Sequence, residues 1–257
     1  MRMASTVLLL GDITGKSRVA VRMMTAALEA RGHEVLSLPT ALISNTLNLG
    51  QAQILDTTGY LLDALRTWED LGVTYDFLCI GYVTGLAQAQ RLAEIADAAR
   101  ARSVPVLVDP ILGDNGQKYR SVTDEQAEGM RLLCRHADLI TPNLTEARLL
   151  AGADLPAQQL AERLGEGVRS VLITSCPGDD AAQGAIIGID HTTGGRVDVR
   201  YEAVPGHHFG TGDLFSALLT DELLRGQSLA DAAHEAAQGV LSAILAAQNT
   251  SIPKKNE

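Results

Sequence analysis

Gly206-His207-His208-Phe209-Gly210-Thr211-Gly212-Asp213-Leu214-Phe215-Ser216-Ala217-Leu218-Leu219 is the stretch on which the reading of this chain turns. Two glycines flank Thr211, and an acid follows at once. Leu214, Phe215, Leu218 and Leu219 then recur at helical spacing, which keeps one face apolar. A helix therefore begins at or just before Asp213, with its first free N–H groups on Gly210, Thr211 and Gly212. Those groups and the helix dipole make an anion site. An aspartate is not the anion that such a site serves. Asp213 is either an N-cap after a flexible turn or a general base beside a hole for a transferring phosphoryl group.

Outward from this stretch, short apolar runs alternate with amphipathic ones. Strands are predicted over 6–10, 35–38, 76–80, 104–108, 138–140 and 169–174, with Gly11 and Pro39 ending the first two. Helices are predicted over 17–31, 51–71, 86–102, 124–136, 143–150, 156–164, 213–225 and 229–247, the first closed by Gly32 at C′. Residues 109–121 read as a polar loop, and 184–189 with 196–201 as an antiparallel pair. This order implies an α/β fold: a mostly parallel central sheet with helices on both faces, in a single domain over 1–257. Such sheets bind ligands at the carboxyl ends of their strands. Asp12, Tyr82, Asp109, Thr141, Asn143 and Thr174 all follow predicted strands, so one crevice can collect them.

Composition narrows the classes. A net charge of −10 argues against a nucleic-acid surface and leaves any phosphate site dependent on local N–H groups and a metal. No apolar run reaches the ~20 residues that cross a bilayer. The first five residues carry one basic side chain and do not read as a signal peptide. Cys79, Cys134 and Cys176 are odd in number and lie in or beside apolar runs, as reduced, buried thiols do, which points to the cytoplasm. His207 and His208 read as loop residues, and 249–257 as a polar tail.

Three further stretches carry chemistry. Gly11-Asp12-Ile13-Thr14-Gly15-Lys16-Ser17 is one residue short of a Walker A loop, and an ordinary strand-to-helix turn is the competing reading. Asp109-Pro110-Ile111-Leu112-Gly113-Asp114 sets two acids around Pro and Gly at a strand end. It reads as a solvated turn or as a place where Asp109 organises Mg²⁺, an ion that takes few carboxylates and keeps its waters. Thr141-Pro142-Asn143-Leu144-Thr145-Glu146 reads as a capping box in which Glu146 reaches back to Asn143.

Taken in order, these stretches resemble one family. Gly-Thr-Gly-Asp-Leu-Phe is similar to the signature of the ribokinase-like superfamily. Asp-Pro-x-x-Gly-Asp at 109–114, Thr-Pro-Asn-x-x-Glu at 141–146 and Gly81-Tyr82 narrow the resemblance to the pyridoxal kinases. It covers nearly the whole chain, from Val7 to about Gly239. Ser44 and Asn45 match the family's Ser-Asn-His-Thr, but Thr46 stands for its histidine and Leu47 for its threonine.

The resemblance implies ATP-dependent phosphorylation of the 5′-hydroxymethyl group of a B6 vitamer by a homodimer. It makes Asp213 the base and Gly210, Thr211 and Gly212 the anion hole. Asp109, Asp114 and Glu146 fall to Mg²⁺, the last through water. Asn143, Thr174, Ser175, Lys118 and Tyr119 fall to ATP, the last two on a flap. Asp12, Ser44, Thr46 and Tyr82 fall to the vitamer. Two alternatives remain open, a hydroxymethylpyrimidine kinase of the same superfamily and a vitamer- or nucleotide-binding protein without catalysis.

Overall fold

The computed structural model describes residues 4–251 except Gly50, Ala181 and His207. The chain opens with β1 (Thr6–Lys16), α1 (Val21–Glu29) and β2 (Glu34–Asn45). Next come β3 (Ile54–Asp56), α2 (Thr58–Asp70), β4 (Phe77–Ile80), α3 (Leu86–Ala101) and β5 (Val106–Val108). A small hairpin, β6 (Gly113–Asp114) and β7 (Gln117–Lys118), precedes α4 (Asp124–Cys134), β8 (Leu139–Ile140), α5 (Leu144–Ala151) and α6 (Ala157–Gly165). The chain then runs through β9 (Ser170–Pro177), β10 (Gln183–Asp190), β11 (Gly195–Glu202), α7 (Thr211–Leu224) and α8 (Leu229–Ser251). Of the expected polar tail, residues 249–251 continue α8, and the remainder lies outside the described residues.

One nine-stranded sheet runs β11-β10-β9-β8-β5-β4-β1-β2-β3. Its six central strands are parallel, while β3, β10 and β11 add antiparallel edges. Residues alternate across the sheet, so a strand covered on both faces must be apolar throughout. Leu8, Leu10, Leu78 and Ile80 face the layer of α2–α6. Val7, Leu9, Phe77 and Cys79 face α1, α7 and α8. All three cysteines are free and buried, and burial pushes the Cys79 thiol up to about 12.

Three predicted boundaries are corrected. Neither Gly11 nor Pro39 ends its strand. β1 and β2 stay paired to Lys16↔Asn45, with the register slipping between Gly11↔Pro39 and Asp12↔Ala41. Thr40 is the extra residue of that bulge, which suits a Pro39 that has no N–H for the ladder. Both readings of 11–17 fall with this, since Gly11–Lys16 is paired strand and wraps nothing. Second, Ile54 and Leu55 form the edge strand β3 and not the start of a helix. Third, α1 begins at Val21, after a turn in which Ser17 and Ala20 have φ of 93° and 51°.

The 109–121 loop contains the β6–β7 hairpin. Asn115 and Gly116 both have positive φ, as a two-residue Asn-Gly turn requires. A Cβ on Gly113 would lie 2.3 Å from the Gln117 carbonyl oxygen, so only glycine fits there.

Candidate active site

Neighbouring strands β1 and β4 send their connections to opposite sides of the sheet, which opens a crevice at their carboxyl ends. A cavity of about 690 Å³ occupies it, lined by Asp12, Thr46, Lys118, Tyr119, Gly210 and Asp213 among others. A smaller recess of about 20 Å³ lies beneath and reaches Tyr82 and Asp109.

Helix α7 is capped by Gly210, whose φ of 79° is open to glycine at little cost. Asp213 is the helix's third residue, and its side chain makes no cap. The capping reading of Asp213 is therefore withdrawn. Its Oδ2 accepts instead from the Ala20 N–H at 2.8 Å, across 193 residues of sequence. The positive φ at Ala20 is what aims that N–H, a backbone strain of about 1–3 kcal/mol that the surrounding contacts must offset. Burial, and then the negative charge of Asp109, push the Asp213 carboxyl up to about 7.

Asp109 is buried at the end of β5, and burial pushes its carboxyl up to about 6. Its Oδ2 accepts from the Ser216 hydroxyl at 2.8 Å, while no described residue donates to its other oxygen. Ser216 lies three residues beyond Asp213 and has the Thr141 hydroxyl at 3.4 Å. Sequence reasoning passed over it, although its place on the helix face one turn after Asp213 was the available signal.

Asn143 and Glu146 form the capping box in full. The Asn143 side chain accepts from the Glu146 N–H at 3.0 Å, and Glu146 Oε2 accepts from the Asn143 N–H at 2.9 Å. Glu146 also accepts from the Leu112 N–H at 3.1 Å, which ties the loop after Asp109 to α5. Burial, followed by the charge of Asp109, holds its carboxyl well above the usual range. Asp114 is exposed, with one oxygen accepting from the Asn115 N–H and the other from its side-chain amide.

Elsewhere along the crevice, Asp12 is 8% exposed and accepts from the Thr14 hydroxyl at 2.9 Å. Burial raises its carboxyl. Thr46 and Leu47 line the cavity, but Ser44 does not. The Ser44 hydroxyl donates to Asn45 and accepts from the Gln53 N–H. Tyr82 lies under the floor, 1% exposed, with its hydroxyl accepting from Gln126. Thr174 and Ser175 lie within β9, which runs on to Pro177 past the predicted end at Thr174, and a bridge between Asn143 and Thr174 sets them beside Asn143. Ser175 is exposed and has a φ of 53°. Lys118 and Tyr119 line the cavity from the hairpin and its exit. The Thr211 hydroxyl donates to the His208 carbonyl. His208 is in the loop before α7, and His207 lies outside the described residues.

The donor set fits a divalent cation. Asp109, Glu146 and Asp213 are crowded: burial raises all three carboxyls, the Asp109 charge raises the other two further, and no described cation pairs with them. No three His, Cys, Asp or Glu among the described residues form a metal cage. Mg²⁺ does not need one, because it takes one or two carboxylates and fills its sphere with water and substrate phosphate.

Comparison with known proteins adds the following. A sequence model of the phosphomethylpyrimidine kinase family matches residues 26–256. The pyridoxine/pyridoxal/pyridoxamine kinase of Bordetella avium (strain 197N) is 34% identical over 233 residues, 85% of this chain and 77% of that protein. A Bacteroides thetaiotaomicron protein described as a phosphomethylpyrimidine kinase, crystallised with pyridoxal, is 30% identical with a TM-score of 0.87. That match covers 95% of this chain and 88% of the other. The pyridoxal kinase of Lactobacillus plantarum is 27% identical with a TM-score of 0.83, covering 98% and 92%.

Proposed function

The chain belongs to the phosphomethylpyrimidine kinase family and, within the ribokinase-like superfamily, to its pyridoxal kinases, and from this we propose its reaction and the residues that carry it. The enzyme moves the γ-phosphoryl group of ATP to the 5′-hydroxymethyl oxygen of pyridoxal, pyridoxine or pyridoxamine. The observation that supports this most is the placement of Asp213. It is an uncapping carboxylate at a helix N-terminus, in the cavity, raised toward the pH at which a general base works best.

Asp213 takes the proton of the 5′-hydroxyl. That oxygen forms the new bond to phosphorus as the bond to the β-phosphate oxygen breaks, and ADP leaves. The N–H groups of Gly210, Thr211 and Gly212 face the charge gathering on the equatorial oxygens. The Ala20 N–H fixes the Asp213 carboxylate so that its other oxygen meets the alcohol. Asp109 would hold Mg²⁺, with Glu146 behind it through water, while the Asn115 contacts make Asp114 a weaker candidate. When bound, that ion neutralises phosphate charge. Ser216 keeps the Asp109 carboxylate turned so that one oxygen stays open.

Asn143, Thr174 and Ser175, with Lys118 and Tyr119 from the hairpin side, are assigned to ATP. Asp12, Thr46 and, from below, Tyr82 are assigned to the ring, with Ser44 shaping the loop. We read the chain as a single-domain cytoplasmic enzyme acting as a homodimer. No described helix is long and apolar enough to cross a membrane.

One second reading stands beside it, phosphorylation of a hydroxymethylpyrimidine, the alcohol related to the phosphomethylpyrimidine that the matching family's description names. Coupled measurement of ADP release with the three vitamers and with 4-amino-5-hydroxymethyl-2-methylpyrimidine tests both. Turnover confined to the pyrimidine would replace the first reading by the second. Nucleotide binding with no phosphorylated product in a single turnover would reduce the protein to a binder.

A further inference from the structure

Asp12, Asp114 and Asp213 all line the cavity, yet its occupant must acquire a phosphate. A phosphate monoester formed beside three carboxylates needs local positive charge, and a net charge of −10 supplies none at long range. Among the described residues, two cationic side chains line the cavity, Lys118 and Arg120. The Lys118 ammonium is engaged by Asp124 at 2.6 Å. Arg120 is exposed, and no described residue accepts a hydrogen bond from it or pairs with it.

The root of Arg120 is fixed. The Tyr119 N–H donates to the Leu112 carbonyl at 3.0 Å. The hairpin before it is held by Asn143 donating to the Gly113 carbonyl at 2.9 Å, and by the Gly116 N–H donating to the Thr145 hydroxyl at 2.8 Å. A free guanidinium on a fixed root, at the wall of a cavity that also receives the N-terminus of α7, suits bidentate pairing with phosphate oxygens.

We propose that Arg120 binds the phosphoryl group once it sits on the alcohol, and so selects the phosphorylated product over the unphosphorylated substrate. This rests on the kinase reading above. Arg120 then clamps the group from the hairpin side while the α7 amides hold it from below. Lysine at this position would keep the charge and lose the fork.

The test is equilibrium binding of pyridoxine and pyridoxine 5′-phosphate to wild type, Arg120→Ala and Arg120→Lys, without nucleotide. Neither ligand has an aldehyde that could condense with a lysine. The expected result is a roughly 10- to 100-fold loss of affinity for the phosphate ester in Arg120→Ala, the size of a charge-assisted hydrogen-bond pair. Arg120→Lys should fall between, and pyridoxine affinity should stay within about twofold in both. Since Arg120 is exposed and unpaired, melting temperatures should match wild type. Wild-type affinity for both ligands with no change in Arg120→Ala would overturn the role of Arg120 and leave the kinase reading intact. Equal losses for both ligands would overturn it as well. Wild type that binds neither compound would bring down the kinase reading and this proposal with it.

Discussion

Asp109→Asn should stabilise the metal-free protein while removing activity. Asp109 is 9% exposed, and its carboxyl is pushed up by burial from the ordinary 3.8 to about 6. A folded state that raises a carboxyl pKa prefers the protonated form. The stability this group contributes is complete below about pH 4 and lost as pH rises through about 6. From 3.8 to about 6, at about 1.4 kcal/mol per pH unit, the loss comes to roughly 3 kcal/mol by pH 8. About half of it is already spent at pH 5, because the unfolded carboxyl has ionised there.

Asparagine carries no charge and can still accept from Ser216, so the variant escapes the loss. Its advantage over wild type should be about 3 kcal/mol at pH 8 and about half that at pH 5. The gap in Tm should widen by roughly 3–6 °C between the two pH values. The lowered carboxyls of Asp56, Asp190 and Asp221 titrate below this window, while Asp213 and Glu146, which the Asp109 charge raises, are relieved in the variant and widen the gap further at high pH. Urea unfolding at pH 5 and pH 8, with and without Mg²⁺, is the assay, and Mg²⁺ should narrow the gap at pH 8. A variant less stable than wild type at pH 8, or a gap that ignores pH, would refute the view of Asp109 as an uncompensated buried acid.

Asp213→Asn should keep fold and ATP affinity but lower turnover by about 10²–10⁴, and a loss under tenfold would remove it as base. In wild type, kcat/KM for the vitamer should climb as pH rises through about 7, where Asp213 ionises. A profile flat across that range would count against the same assignment. Glu146→Gln replaces an oxygen that faces a backbone N–H with an amide donor, so it should lower Tm and raise the Mg²⁺ needed for half-maximal rate. Asn143→Ala removes the cap, about 0.5–2 kcal/mol, together with the bond to the Gly113 carbonyl and a group assigned to ATP. It should lower Tm and raise KM for ATP while the Mg²⁺ needed for half-maximal rate at saturating ATP stays put; Mg²⁺ titrations beside melting curves separate the two. Thr46→Val should raise KM for the vitamer about three- to tenfold, one lost neutral hydrogen bond, and leave KM for ATP alone. An unchanged vitamer KM would show that Thr46 does not stand in for the hydroxyl absent at Leu47.

What the sequence determined by itself was local, or periodic. Alternating apolar runs and 3.6-residue patterns named the parallel α/β sheet, because burial on both faces leaves no polar position in strands such as Val7–Leu10. Gly32 closed α1, and Asn143 with Glu146 announced their own cap, since these motifs satisfy backbone groups a few residues away. The tertiary structure decided the rest. Whether Gly11 ended β1 depended on β2 running alongside it, and Ile54 and Leu55 became strand because the β2 edge was there to pair with. The Asn-Gly turn at 115–116 was legible but eclipsed by the acids around it. Within the site, Ser216 reaches Asp109 across 107 residues, and Ala20 reaches Asp213 across 193. No local preference encodes such a meeting. The raised acids follow from the same cause, because a carboxyl's pKa is set by the water it loses and the charges it gains, and both exist only once the chain has closed around it.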